Sequence, residues 1–364
     1  MSTPAGHANS SEAPLMLSVS GARGIVGRTM TPIVAATFAG AFGSHVRALV
    51  GPSRRPLVVV ARDGRFGGHA LAQAVQGALA ATGCDVVDLG VAMTPTVGLM
   101  IRALGADGGM AVTASHNPIE WNGLKCLDSD GLAPPKPVAN AIIARFHAAV
   151  AAGVLGESTD GIAFASPLGI GTVSQCDSAA SQHVARVLEV TGAASRVRAR
   201  GGLSVVLDCV NASGCQAGPM LLSALGCRAT LIHAEPTGIF GHTPEPIEQN
   251  LGDLIAAVRA QAGRAACGFA QDPDADRLAI VDEKGRYIGE EYTLVLAALR
   301  MLELHGAGVL AANLSTSRMI DDIAARFPGS TVLRTAVGEA NVVAALKPAG
   351  GLLGGEGNGG VILP

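Results

Sequence analysis

At 364 residues with 49% hydrophobic side chains, the chain is long enough to bury substantial cores in two or three domains. Aromatic residues make up 3% and the formal net charge is -3, which argues against base-stacking platforms and against a basic face for nucleic acid or membrane. The seven cysteines (Cys84, Cys126, Cys176, Cys209, Cys215, Cys227, Cys267) are odd in number, scattered and without a CxxC. They read as reduced thiols of a cytoplasmic protein, neither a disulfide frame nor a cysteine zinc site.

Residues 1–14 are polar, without a basic start or an apolar core, and read as a loose tail rather than a leader. Leu15 to Val19 is a predicted strand, and Ser20-Gly21-Ala22-Arg23-Gly24 after it reads as a tight loop presenting one guanidinium. The weakly polar run Thr31 to Val46 is rich in Ala and Gly and carries His45, so it reads as a packed helix rather than a membrane span. Leu57 to Ala61 is a buried strand leading into Arg62-Asp63-Gly64-Arg65, then a helix over Gly67 to Thr82 and a strand over Val86 to Leu89.

That strand–turn–helix–strand unit recurs. Leu203 to Leu207, a polar turn to Gly214, a helix over Ala217 to Leu225 and a strand near Ala229 to Ile232 form a second copy. Gly308 to Ala312, a turn through Ser317, a helix over Met319 to Phe327 and a strand over Thr331 to Arg334 form a third. Three such units along one chain predict three similar α/β domains, with boundaries near 155 and near 262. The stretch 156–180 is polar and unperiodic and receives no assignment.

Three stretches carry chemistry. In the first, Met110-Ala111-Val112 reads as a strand that breaks into Thr113-Ala114-Ser115-His116-Asn117-Pro118, with Gly123 and Lys125 just beyond. Hydroxyls and backbone N–H groups then stand at the C-terminal end of a strand, where open α/β sheets bind ligands. Ser115 beside His116 is a candidate nucleophile, and Lys125 a nearby cation or base. A plain loop cap is the competing reading of this turn taken alone.

In the second stretch, Gln271-Asp272-Pro273-Asp274-Ala275-Asp276-Arg277, three carboxylates at alternate positions can converge on one hard cation, Mg²⁺ or Ca²⁺. An EF-hand is rejected: its sixth position is Arg277 where glycine is needed, and a strand, Leu278 to Val281, follows. The third stretch, Gly354 to Val361, sets Glu356 and Asn358 among five glycines between apolar flanks. Such a loop lets backbone approach a ligand while two side chains bond its hydroxyls.

These residues, in this order, resemble the α-D-phosphohexomutase family (phosphoglucomutases, phosphomannomutases and phosphoglucosamine mutases) over nearly the whole chain, Ser20 to Pro364. Thr113 to Pro118 is similar to the family's phosphoserine loop, Asp272 to Arg277 to its magnesium loop and Gly355 to Gly359 to its sugar loop. Weaker likenesses are Ser20 to Gly24, Arg62 to Arg65, Pro244 to Asn250 and Thr335 to Glu339.

The resemblance implies three consecutive α/β domains with mixed sheets sandwiched by helices around a central cleft. They would cover 15–155 with the phosphoserine loop, 156–262, and 263–364 with the metal and sugar loops. It implies Ser115 as phosphoryl carrier, with Ser115, Asp272, Asp274 and Asp276 around Mg²⁺. Arg23 and His116 would neutralise charge, and Lys125 would be general base, because a desolvated lysine can reach a useful pKa. Arg277, Thr335, Gly338, Glu339, Glu356 and Asn358 would bind the substrate, a small-molecule sugar phosphate. A hexose 1,6-bisphosphate would serve as intermediate and activator, and the protein would be a monomer or homodimer.

Two departures shape the substrate expectation. Asn358 stands where many members have serine with a later histidine, and Glu339 is acidic where glucose and mannose mutases tend to carry histidine. An acid there suits an amino sugar, so glucosamine phosphate is expected before glucose or mannose phosphate. Family members also continue into a fourth domain that grips the non-reacting phosphate, whereas this sequence runs to Pro364. Slow turnover by these residues alone is therefore expected. A non-catalytic phosphosugar-binding relative and a metal-dependent phosphatase using Ser115 are the alternatives.

Overall fold

The computed structural model describes residues 13–153 and 161–363. The polar tail through residue 12, and the boundary expected near 155, lie outside the described residues.

The first sheet is built from β1 (Met16–Ser18), β2 (Gly21–Ile25), α1 (Pro32–Val50), β3 (Leu57–Arg62), α2 (Gly68–Ala81), β4 (Asp85–Val91), α3 (Thr94–Leu104), β5 (Gly108–Val112), β6 (Trp121–Leu127), α4 (Lys136–Ala151) and β7 (Val173–Gln175). Its strand order is β1-β2-β6-β5-β3-β4-β7, with β3 parallel to both β4 and β5. Val58, Val59 and Val60 of β3 are fully buried, as expected of a strand with helices on both faces. β3 and β5 therefore end at the same edge, which brings Asp63 and Thr113 together.

α1 begins where Thr31 Oγ1 accepts the Val34 N–H at 3.2 Å with Pro32 in the first turn, and it stops at Gly51 with φ 74°. Among the described residues it alone is long and apolar enough to cross a membrane. It packs instead in the first core, burying Phe38, Phe42 and Val46 against α2 and α4, with the Phe38 and Phe146 rings 5.8 Å apart. Each buried phenylalanine contributes about 2–3 kcal/mol.

The loop expected at Ser20 to Gly24 is a strand for most of its length. Gly21–Ile25 pairs antiparallel with β1 and with β6. Its pattern was hidden because close backbone approach, not a large side chain, selects its residues. A Cβ on Gly21 would stand 1.9 Å from the Leu124 carbonyl oxygen, and φ there is 105°. Within the unassigned stretch, Val173–Gln175 adds in parallel to β4, so the first sheet takes a strand from beyond residue 155.

The second sheet follows α5 (Ala179–Thr191) and α6 (Ala193–Ala199). It comprises β8 (Ser204–Asp208), α7 (Gly214–Ala224), β9 (Arg228–Ile232), α8 (Gly252–Ala260), β10 (Cys267–Gln271) and β11 (Leu278–Asp282), in strand order β11-β10-β8-β9. A division near residue 262 would cut this sheet in two. β10 pairs parallel with β8 and antiparallel with β11, so the aspartate loop between them belongs with the second sheet, not the third.

The third sheet comprises α9 (Glu291–His305), β12 (Val309–Asn313), α10 (Met319–Ala325), β13 (Thr331–Thr335), α11 (Glu339–Leu346), β14 (Leu353–Gly355) and β15 (Val361–Ile362), in order β13-β12-β14-β15. All three sheets mix parallel and antiparallel pairs between helices, the α/β class the sequence predicts. All three contribute to one cleft, through Ser115 after β5, Asp276 and Arg277 after β10, and Ala336 and Glu356 after β13 and β14.

Candidate active site

Ser115 follows β5 in a left-handed backbone conformation, φ 50°, which a non-glycine residue adopts only when its surroundings hold it there. The Ser115 N–H donates to Thr113 Oγ1 at 2.8 Å, and that hydroxyl donates to Asp63 Oδ2 at 2.7 Å. Arg65 Nε pairs with the same carboxylate at 2.8 Å, and its other nitrogens donate to the carbonyls of Ser115 (2.5 Å) and Trp121 (2.8 Å). Both side chains of this ion pair are fully buried. The Asp63–Arg65 pair, known from sequence only as a weak likeness, thus clamps both ends of the serine turn.

The Ser115 hydroxyl donates to Asp272 Oδ2 at 2.9 Å and lies 3.4 Å from His116 Nδ1. Asp272, Asp274 and Asp276 each bring a carboxylate oxygen within 4.8 Å of the others. Asp274 Oδ2 accepts from Thr94 Oγ1 at 2.7 Å and from Lys125 Nζ at 3.0 Å, and Lys125 Nζ also reaches Asp276 at 2.6 Å. Asp274 Oδ1 is buried without a hydrogen-bond partner. Three converging carboxylates with one orphaned oxygen, beside a serine hydroxyl, are an all-oxygen set that fits a hard divalent cation.

Electrostatics points the same way. Burial and the neighbouring Asp274 and Asp276 push Asp272 far above the usual carboxylate range. Asp274 stays ionised despite its burial because Lys125 and the Thr94 hydroxyl stabilise its charge. Thr94 heads α3, and nothing in its local sequence marked it; only the fold brings it to Asp274.

Two of the expected site residues are shifted by their surroundings. Burial would lower Lys125, but Asp274, Asp276 and Glu339 outweigh it and hold the ammonium above its ordinary value. In this arrangement Lys125 is an ammonium anchored on Asp274 and Asp276. His116 is pushed down to about 4 by burial and by the Arg277 and Arg23 guanidiniums. It is neutral near pH 7 and supplies a hydrogen-bonding ring rather than a charge.

Arg23, Ser115, Lys125, Asp276, Arg277, Gly338, Glu339, Glu356 and Asn358 all line one cleft of about 1770 Å³. Thr335 is not among its lining residues: its hydroxyl donates to the Ala336 carbonyl at 3.0 Å, and the cleft wall begins one residue later. Glu356 is fixed by Asn313 Nδ2 at 2.5 Å and the Gly338 N–H at 3.0 Å, both on Oε1, which leaves Oε2 near Asn358 at 3.4 Å. Asn313 ends β12 and was missed; a polar residue closing a buried apolar strand was its one signal.

Residues 16–152, 181–285 and 289–364 match domains I, II and III of the phosphoglucomutase/phosphomannomutase family. The chain belongs to this family. Among its relatives, a Methanopyrus kandleri protein named "Probable phosphoglucosamine mutase" is 37% identical over 348 residues, 95% of this chain and 71% of that protein. The "Phosphoglucomutase/phosphomannomutase" of Thermococcus kodakarensis is 38% identical over 345 residues, 94% of this chain and 72% of that protein. A crystal structure of a phosphoglucomutase/phosphomannomutase family protein from Burkholderia thailandensis superposes with a TM-score of 0.80 at 30% identity, covering 96% of this chain and 73% of that one. In this family member the two sequence-contiguous loops, serine and aspartate, come from different sheets and meet at the cleft floor.

Proposed function

We propose that this family member is a phosphohexomutase that interconverts hexose 6-phosphate and hexose 1-phosphate through a phosphoryl group on Ser115 and a bisphosphorylated sugar. The observation that carries the reading is the Ser115 hydroxyl at 2.9 Å from Asp272, inside a clamped turn and beside two further aspartates. The names of its relatives support the reaction class. Asp272, Asp274, Asp276 and Ser115 would hold the Mg²⁺, which when bound supplies a Lewis acid for phosphoryl oxygens.

The chain's own residues do the rest. Arg65 and Thr113 hold the serine turn so that Oγ faces the cleft in one orientation. Arg23 and Arg277 line the approach and offset phosphate charge, which phosphoryl transfer needs more than covalent assistance. Lys125 keeps Asp274 and Asp276 ionised and aligned. The cleft exceeds the roughly 300–1,000 Å³ that encloses a drug-sized ligand, leaving room for a sugar bisphosphate to turn over.

Glucosamine phosphate is the substrate this cleft suits best. Glu339 is raised by burial and by Asp276 and Glu356, against the pull of Lys125. A cationic ammonium on the sugar would relieve that crowding of carboxylates, which neutral hydroxyls of glucose or mannose cannot do. The test is a coupled assay on the three hexose phosphates with inorganic phosphate followed in parallel. Isomerisation with negligible phosphate release, fastest for glucosamine phosphate and losing that preference in Glu339→Gln, is expected. Phosphate release matching substrate loss would identify a phosphatase instead.

A further inference from the structure

Outside the cleft, three side chains from separate segments converge at the C-terminal edge of the second sheet. Asp208 ends β8, His233 directly follows β9, and His242 lies in the loop beyond. Asp208 Oδ2 is 3.1 Å from His233 Nδ1 and 3.1 Å from His242 Nε2, while Asp208 Oδ1 is held by the Val210 N–H at 3.0 Å. The Asp208 side chain is 1% exposed, and those of His233 and His242 are 20% and 11% exposed.

The outer nitrogen of each ring has an oxygen beside it. His242 Nδ1 is 2.7 Å from the Thr243 carbonyl oxygen, which can only accept, so Nδ1 carries a proton. His233 Nε2 lies 3.3 Å from the Asp253 carboxylate, which is 72% exposed. A neutral His242 then turns its Nε2 lone pair toward Asp208, and a neutral His233 does the same with Nδ1 when its proton sits on Nε2. In that tautomer three lone pairs face one another, and a cation among them satisfies all three, as protons on the ring nitrogens also would.

The geometry points to a cation: we propose that Asp208, His233 and His242 form a second metal site, for Zn²⁺ or a similar late first-row divalent ion. Tetrahedral zinc with ligands at about 2.0–2.1 Å separates its donors by roughly 3.3 Å, close to the separations here. Two imidazoles and one carboxylate are softer than the all-oxygen aspartate loop and select against Mg²⁺. The Thr243 carbonyl and Asp253 carboxylate occupy the outer positions that fix the rings of metal-bound histidines.

The backbone is shaped to this cluster. His233 is held at φ 44°, and the chain passes over its ring at Gly241, where a Cβ would stand 2.2 Å from His233 Cδ2. The same loop meets the serine clamp: the Gly238 carbonyl accepts the Phe66 N–H at 3.0 Å, and the Phe240 ring lies 5.4 Å from the Arg65 guanidinium. An ion at Asp208 would pin that loop against Arg65. The competing arrangement is two imidazolium rings on Asp208. For His242, burial opposes the imidazolium, but the hydrogen bond to Asp208 outweighs it and leaves the ring above its ordinary value.

The test uses the full chain, stripped of metal by chelation and returned to excess Mg²⁺ so that the aspartate loop is filled. Titration with Zn²⁺ should then show one ion per chain and a raised melting temperature. His233→Gln and His242→Gln should each weaken uptake at least about tenfold, and Asp274→Asn should leave it unchanged. X-ray absorption of zinc on the unmodified chain, which needs no variant to fold, should show two imidazoles and oxygen. No saturable uptake under Mg²⁺, an oxygen-only shell, or uptake lost in Asp274→Asn but kept in both histidine variants would overturn the proposal.

Discussion

The second sheet ends in two ionisable clusters of different ligand chemistry. After β10, Asp272, Asp274 and Asp276 crowd negative charge that Lys125, Thr94 and Ser115 from the first domain only partly satisfy, leaving Asp274 Oδ1 bare. After β8 and β9, one buried carboxylate faces two imidazole nitrogens, each at 3.1 Å. The first cluster is open to the cleft; the second lies in a side loop. Hard, all-oxygen chemistry and borderline nitrogen chemistry are thus kept apart on one edge, which would let one chain hold two different ions without exchange.

The largest expected effect separates the two. Ser115→Ala should abolish the phosphorylated species seen by intact mass after exposure to hexose 1,6-bisphosphate, and should lower mutase turnover by several orders of magnitude. Zinc uptake at Asp208 should not change. Turnover at the parent rate would remove Ser115 from the mechanism, and loss of zinc uptake as well would show that the clusters are not independent.

Arg65 is the strut between them, and its removal should be felt as stability. Arg65→Ala strands a fully buried Asp63 carboxylate and frees the Ser115 carbonyl, at a cost of about 3–5 kcal/mol in urea unfolding. A loss under about 1 kcal/mol would mean that water enters and replaces the guanidinium.

Glu356→Gln bears on the cleft alone. Its Oε1 already serves two donors, so the amide must turn its NH₂ either toward them or toward the sugar. We expect kcat/KM to fall roughly ten- to a hundredfold, with Ser115 phosphorylation intact. Unchanged kinetics would reduce this loop to scaffolding.

The smallest effect is a pH dependence at the seam. Glu290 lies between Arg277 of the aspartate loop and Glu245 of the loop beyond His242, and its pKa is raised from 4.5 to about 7, first by burial. Its protonated form fits the fold, so its contribution is full below pH 4.5 and is lost as pH rises through 7. Glu290→Gln should therefore stabilise by about 1–2 kcal/mol near pH 8.5 and by almost nothing near pH 5. An equal effect at both pH values would show that Glu290 does not titrate in this window.

The cleft was legible where its chemistry is contiguous. Thr113 to Pro118, Asp272 to Arg277 and Gly355 to Gly359 each carry their own spacing, and the valine run of β3 announced a strand buried on both faces. The Gly21–Ile25 strand was not legible, because small residues chosen for close backbone approach show no alternation. The sheet membership of β10 and β11 was likewise hidden, since a parallel partner can lie anywhere along the chain.

The sequence by itself determined the α/β class, the three repeated units, the serine and aspartate loops and the glycine loop with its acid. All of these rest on residue type and short-range order. Tertiary structure alone decided the protonation behaviour of the site. Lys125 is held as an ammonium because β6 of the first sheet places it against carboxylates of the loop after β10, and His116 is pushed down by burial and two guanidiniums. It also decided the meeting of Asp208, His233 and His242, 34 residues apart at the extremes and joined only by parallel pairing of β8 with β9 and the return of one loop. Charge and ligation depend on distances in space, and a sequence states only distances along the chain.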